Sequence, residues 1–340
     1  MQSSDQPKGL LFRWRALGLT GLVLLCSGAG FWWVWQQRIN LSYSAALMNP
    51  QNGSAQLRQY ETLKEVPNVP RGLFSYGVAL NFATLIAKVH GRMSEAHPGF
   101  RLRYTEPIHG NPGSSSSIRM LIEGSVSVVQ SARPLKTEEF QEARSRSMTI
   151  EQVPVGIDGI VFCTHRTVQV AGLSVDQLQD IYRGKITNWS QVGGADQEIV
   201  PFSTDPKATS ALSQLLGTDG SDRSPNVQLV RDSTAGIRQA ATTPGGIFFS
   251  GSSVVIGQKS VRVLPVARAG TTQYVPPYKA EGQVNTEAFR DGSYPLTRRM
   301  FIIFRRDGTP DEQAGIAYAN LLLSKEAQEL MEKAGYVPLL

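Results

Sequence analysis

The chain has 340 residues, 41% of them hydrophobic, with 34 basic against 28 acidic residues and a net charge of +6. That length allows one or two domains and a targeting segment. Lys8, Arg13, Arg15 and Arg38 against Asp5 place half of the charge near the N-terminus, and what remains is too small for a nucleic-acid footprint, so no nucleic-acid partner is expected.

In chain order, the first element is an uncharged run from Ala16 to Trp35. As a helix it would reach roughly 30 Å, the thickness of a bilayer's hydrocarbon core. Lys8, Arg13 and Arg15 precede it, which places residues 1–15 in the cytoplasm, and Phe31, Trp32, Trp33 and Trp35 fit an aromatic belt at the far interface. The expectation is an uncleaved transmembrane anchor over 16–37. Cleavage near Ser27-Gly28-Ala29 and lipidation of Cys26 are the rivals, and all three put the rest of the chain outside the cytoplasm, at the cell membrane. Residues 38–68 read as a polar linker with a short helix near Ala55–Lys64. Cys26 lies in the apolar run and Cys163 in a buried-strand pattern, so no disulfide between them is expected.

From Gly72 onward short apolar strands alternate with amphipathic helices. Strands are predicted at Phe74–Gly77, Arg101–Thr105, Val126–Val129, Gln152–Val155, Gly159–Cys163, Ile199–Phe202, Ile247–Phe249 and Arg299–Phe304. Helices are predicted at Asn81–Ala96, Ser117–Glu123, Thr137–Ser147, Ser174–Tyr182, Thr209–Leu216, Asp232–Ala241 and Asp311–Ala334. This rhythm specifies an α/β fold with largely parallel sheets. Arg298-Arg299 and Arg305-Arg306 read as solvated strand ends, and Trp189 as packing.

The run Gly172–Gly194, GLSVDQLQDIYRGKITNWSQVGG, carries the most specific pattern. Around it stand PVGIDGIVF (154–162), TPGGIFF (243–249), YPLTRRMFII (294–303) and QAGIAYANLLLSKEAQELMEKAGYVPL (313–339), preceded by SYGVALNFATL, NPGSSSSIRMLIEG and QSARPL. Together they resemble the phosphate-binding component of bacterial ABC importers, a type-2 periplasmic binding protein, over residues 69–340. The resemblance implies two α/β lobes joined by crossing strands, the first comprising about 69–157 and 262–340 and the second about 158–261. It also implies a small oxyanion such as phosphate in the cleft, an ABC permease as partner, hinge closure, and neither metal nor cofactor.

A dehydrated oxyanion needs converging N–H and O–H donors, which helix N-termini and Ser/Thr side chains supply. The resemblance places four loops around it. The first is Gly77-Val78-Ala79-Leu80-Asn81, where Gly77, Leu80 and Asn81 are site candidates although the family's hydroxyl residues are absent. The second is Gly113–Ile118, with Ser114, Ser115 and Ser116 as donors but without the family's second glycine. The third, Ser131-Ala132-Arg133-Pro134, offers Ser131 and Arg133, unless Arg133 pairs with Glu138 or Glu139. The fourth, Ser203–Ala211, offers Ser203, Thr209 and Ser210, with Thr204 where the family carries an arginine. Three of the four loops have lost donors, so a non-transporting sensor or interaction module with a drifted cleft is the alternative. His90, His97, His109 and His165 show no metal-ligand spacing, and no nucleophile motif is present. The only dyad to weigh is Asp158 with His165, so no catalytic residue is expected.

Overall fold

The computed structural model describes residues 59–339 except 79–81, 110–111, 207–210, 218–219 and 280–281. The expected anchor over 16–37 lies outside the described residues. Among the described residues, no helix is long and apolar enough to cross a membrane.

The strands are β1 (Gly72–Val78), β2 (Phe100–Tyr104), β3 (Val128–Ser131), β4 (Thr149–Thr164), β5 (Leu173–Ser174), β6 (Val200–Thr204), β7 (Gln228–Val230), β8 (Gly246–Gly251), β9 (Arg262–Val263), β10 (Val266–Ala267) and β11 (Thr297–Arg306). The helices are α1 (Ala83–Ala96), α2 (Ser114–Ile122), α3 (Thr137–Ser145), α4 (Val175–Tyr182), α5 (Ala211–Leu216), α6 (Ser233–Thr242), α7 (Ser252–Val255), α8 (Thr286–Arg290), α9 (Pro310–Leu323) and α10 (Lys325–Lys333). The strand path runs β2-β1-β3-β11-β4-β8-β6-β7, with β9 also paired to β4.

Two lobes share that path. In the first, β1 pairs in parallel with β2 and β3, and β11 joins β3 to β4 by antiparallel pairing. In the second, β6 pairs in parallel with β7 and β8. β4 belongs to both lobes, because Thr149–Gly159 pairs with β11 and Ile160–Thr164 pairs with β8. The sequence suggests two short strands here, split by Gly156, Asp158 and Gly159. The strand instead runs through, and its glycines make room for partners: a Cβ on Gly156 would strike the Met331 side chain, and one on Gly159 would lie 2.6 Å from the Phe289 ring. Close approach, rather than a turn, is what glycine provides here.

Apolar burial stabilises each lobe separately. Ile118, Leu121, Val129, Phe301 and Ile303 cluster in the first lobe, and Phe162, Tyr182, Trp189, Leu212 and Phe249 in the second. Trp189 also donates its indole N–H to Gly245 O at 3.0 Å. Leu264, Val266, Val284, Ala288, Phe289 and Tyr294 join the second cluster. Ile157 and Val337 belong to the same cluster, so it reaches across the place where β4 changes partners.

Three local departures have simple causes. The long C-terminal helix is broken at Ser324, whose extended backbone ends α9 and whose hydroxyl caps α10 through Ala327 N–H. α2 starts at Ser114, three residues earlier than the periodicity suggests, because serines carry no apolar signal. Arg298 is no solvated end: it is 6% exposed and bound to Asp158. Arg305 and Arg306 pair with Asp307, Asp311, Glu151 and Glu312.

The last residues of the expected linker are bound to the first lobe. Tyr60 and Glu61 carbonyls accept the amides of Lys325 and Glu326, at 2.9 and 3.1 Å. Leu63 is fully buried, and its carbonyl lies 2.7 Å from His97 Nε2. This strap ties the N-terminus of α10 to the residue that ends α1, and it supplies partners to two leading amides of α10 that the helix itself cannot satisfy.

Candidate functional site: a serine and arginine cluster at the ends of β1, α2 and β3

β1 and β3 are parallel neighbours, in register at Gly77↔Val129 and Val78↔Gln130, so their C-terminal ends emerge side by side. Loops at the carboxyl ends of parallel strands are where open α/β sheets bind ligands. α2 brings its N-terminus to the same place. A Cβ on Gly77 would lie 2.8 Å from both Cβ and Oγ of Ser117, so only glycine lets the strand touch the helix there. The Ala132 N–H donates to Ser114 Oγ at 3.1 Å, fastening the loop after β3 to the first turn of α2.

The nine-residue α2 begins after Gly113, which offers no side-chain cap, and its first helical bond runs from Ser117 N–H to Gly113 O. The positive end of the helix dipole and the leading amides therefore face the loop cluster. Each hydroxyl has its own assignment. Ser114 Oγ accepts from Ala132, and Ser115 Oγ accepts from Arg133 NH2 at 2.9 Å. An accepting hydroxyl still carries a proton to donate. Ser116 Oγ donates to Gly113 O at 3.1 Å, and Ser131 Oγ donates to Arg133 O at 2.6 Å, so both of those protons are turned inward.

Arg133 is the most constrained member. Its NH1 donates to Pro134 O and Glu139 Oε2, both at 2.9 Å; its NH2 donates to Ser115 Oγ at 2.9 Å and Glu139 Oε1 at 2.6 Å. Four of its five N–H donors are thus committed. Glu139 also accepts the Lys136 N–H at 2.8 Å, reaching back from the first turn of α3 to the residue that precedes the helix. Of the two roles the sequence allows, the ion pair with Glu139 is the one this geometry adopts.

Gly77, Ser114, Ser115, Ser116, Ser131 and Arg133 are therefore gathered in one neighbourhood of the first lobe. Leu80, Asn81, Thr209 and Ser210 lie outside the described residues. Ser203 sits in β6 of the other lobe, fully buried, with its hydroxyl donating to Thr204 O at 2.9 Å. Its proton is spent on its own strand.

Beneath these loops stands a polar relay that the sequence reading missed. Gln130, fully buried in β3, bonds Tyr318 OH through its amide nitrogen, and His90 Nε2 lies 2.8 Å from the same hydroxyl. Burial pushes the His90 pKa down to about 4. The available signal was a glutamine directly after the apolar run Val126–Val129.

The other chemistries fare poorly. His165 Nδ1 lies 2.7 Å from Thr167 Oγ1, while Asp158 is held by Arg298 and Ser252, so the two form no dyad. Among the described residues no cluster of His, Cys, Asp and Glu could hold a metal. Burial pushes the Cys163 thiol up to about 12, far from a reactive thiolate.

A family model described as a PBP superfamily domain matches residues 75–326. The phosphate-binding protein PstS of Pseudomonas aeruginosa is 24% identical over 250 residues, covering 67% of this chain and 72% of that one. A Clostridium perfringens protein crystallised with bound phosphate superposes with a TM-score of 0.63 at 22% identity, covering 79% of this chain and 100% of its own. An ABC-type phosphate transport receptor from Vibrio cholerae gives 0.61 at 21% identity, with 78% and 99% covered.

Proposed function

The chain belongs to the PBP superfamily, and on that premise we propose that it is an extracytoplasmic solute-binding protein that takes phosphate or a related oxyanion. The observation that carries this reading is the α2 N-terminus, without a side-chain cap at Gly113 and flanked by Ser114 and Ser115, at the loop ends of β1 and β3. Amide donors aligned with a helix dipole suit an anion without any further charge. The P. aeruginosa relative, named for phosphate binding, supports the same ligand class. Delivery to an ABC permease and tethering by residues 16–37 complete the reading.

Equilibrium dialysis of the full chain with labelled phosphate tests it. Saturable binding with a micromolar Kd is expected, and no binding at millimolar phosphate overturns it. A second reading, a sensor or interaction module that has lost its ligand, is favoured by one observation: the Arg133 guanidinium is already occupied by Glu139. Silence in the dialysis is the result that reading expects.

A further inference from the structure

We propose that Glu139 sets the affinity of this site by occupying the arginine that an incoming anion would use. The inference rests on the oxyanion-binding reading above and concerns how that site is regulated.

A guanidinium recognises a carboxylate or a phosphate through the same paired N–H fork. In Arg133 that fork is filled, with both terminal nitrogens donating to the two Glu139 oxygens at 2.9 and 2.6 Å. The carboxylate stands where a ligand's oxygens would. It is also fixed in place, because the Lys136 amide donates to Oε2 at 2.8 Å and ties Glu139 into the first turn of α3. The internal anion is thus presented by a helix end rather than by a free side chain.

The pair is nevertheless exchangeable. The Arg133 and Glu139 side chains are 13% and 16% exposed, so water can reach both as they part. The bridge from Arg133 NH2 to Ser115 Oγ, 2.9 Å, keeps the guanidinium against the first turn of α2. A ligand at that helix end would already touch the arginine's neighbour. Binding then exchanges one anion for another on the same fork, and the measured affinity is the difference between the two. A singly charged carboxylate ligand gains nothing by the exchange. A doubly charged tetrahedral oxyanion gains charge and acceptor oxygens, so the gate also selects for that class.

Isothermal titration of the full chain with inorganic phosphate tests this. Glu139→Gln is the informative substitution, since the glutamine carbonyl oxygen can still accept the Lys136 amide but carries no charge. Freeing one charge-assisted hydrogen bond should tighten phosphate binding about ten- to a hundredfold. Adding Arg133→Ala to Glu139→Gln should abolish the gain, which a merely structural role for Glu139 would not produce. If Glu139→Gln leaves the Kd unchanged or weakens it while the wild-type chain binds, Glu139 only orients Arg133 and the inference falls while the oxyanion reading stands. If wild type and both variants are silent at millimolar phosphate, the oxyanion reading falls and takes the inference with it.

Discussion

The molecule holds two arginine–carboxylate pairs whose surroundings differ in an instructive way. At the junction of the lobes, Arg298 of β11 faces Asp158 of β4 and donates to Oδ2 through Nε and NH2, at 3.0 and 2.6 Å. The other oxygen, Oδ1, takes the Ser252 amide and hydroxyl at 3.1 and 3.0 Å, and that hydroxyl lies 2.8 Å from Gly335 O. The side chains are 4% and 0% exposed, and the carboxylate ties β11, β4 and the start of α7 together where β4 changes partners. At the end of β3, by contrast, Arg133 and Glu139 are 13% and 16% exposed and their network opens onto a serine and a helix end. A pair whose every oxygen is answered from within the fold holds the lobes together. A pair with a polar open side can exchange partners. The chemistry is the same in both, and the enclosure decides the role.

Removing one partner should separate the two most clearly. Asp158→Ala takes the carboxylate away from the buried Arg298, and breaking such a pair typically costs about 3–5 kcal/mol. An unfolding free energy lowered by that much in urea denaturation is expected, and a loss under about 1 kcal/mol would show that water reaches the junction and that the contrast is false.

How much of this could be read from the sequence differs between the same two regions. The alternation of strands and helices, the cap at Ser174 and the stop at Gly335 are local signals, and the structure carries them. The junction was invisible, because Asp158 and Arg298 are far apart in sequence and Arg298-Arg299 resembles any charged strand end. The loop cluster was half legible. Ser114, Ser115, Ser131 and Arg133 were identifiable from the resemblance, but which way each hydroxyl donates depends on neighbours such as Ala132 N–H and Arg133 O that no pattern specifies. The fate of Arg133 was left open for the same reason, since Glu138 and Glu139 are equivalent in sequence and only the bond from the Lys136 amide to the Glu139 carboxylate selects the second.

The relay under the loops sharpens the comparison, because it is a buried polar group kept neutral instead of paired. His90 is edge-on to both Tyr76 and Tyr318, with no acid among these partners, and its pKa falls to about 4. The unfolded chain takes up a proton near pH 6.5, so between 6.5 and 4 it binds more protons than the folded one. Stability is then fully present above pH 6.5 and declines as the pH falls toward 4, by no more than about 3 kcal/mol. His90→Gln should flatten that part of the stability profile, measured by denaturation at stepped pH. A slope that survives the substitution belongs to other groups.

The smallest change in stability should come from the open side of the Arg133 network, and this is where the distinction between closed and exchangeable pairs is most exposed to failure. Ser115 is exposed on the first turn of α2, and its hydroxyl oxygen accepts from Arg133 at 2.9 Å. Ser115→Ala removes that acceptor but leaves the two Glu139 oxygens in place, so the arginine keeps its main partner. Alanine is also the better helix former, and surface changes of this kind usually stay within about 0.5 kcal/mol. The melting temperature should therefore barely move. Phosphate affinity should fall about tenfold, the worth of one hydroxyl hydrogen bond to a charged ligand. If the melting temperature drops while binding holds, Ser115 supports the loop from within. The Arg133 cluster would then be a second closed junction, and enclosure would no longer separate the two pairs.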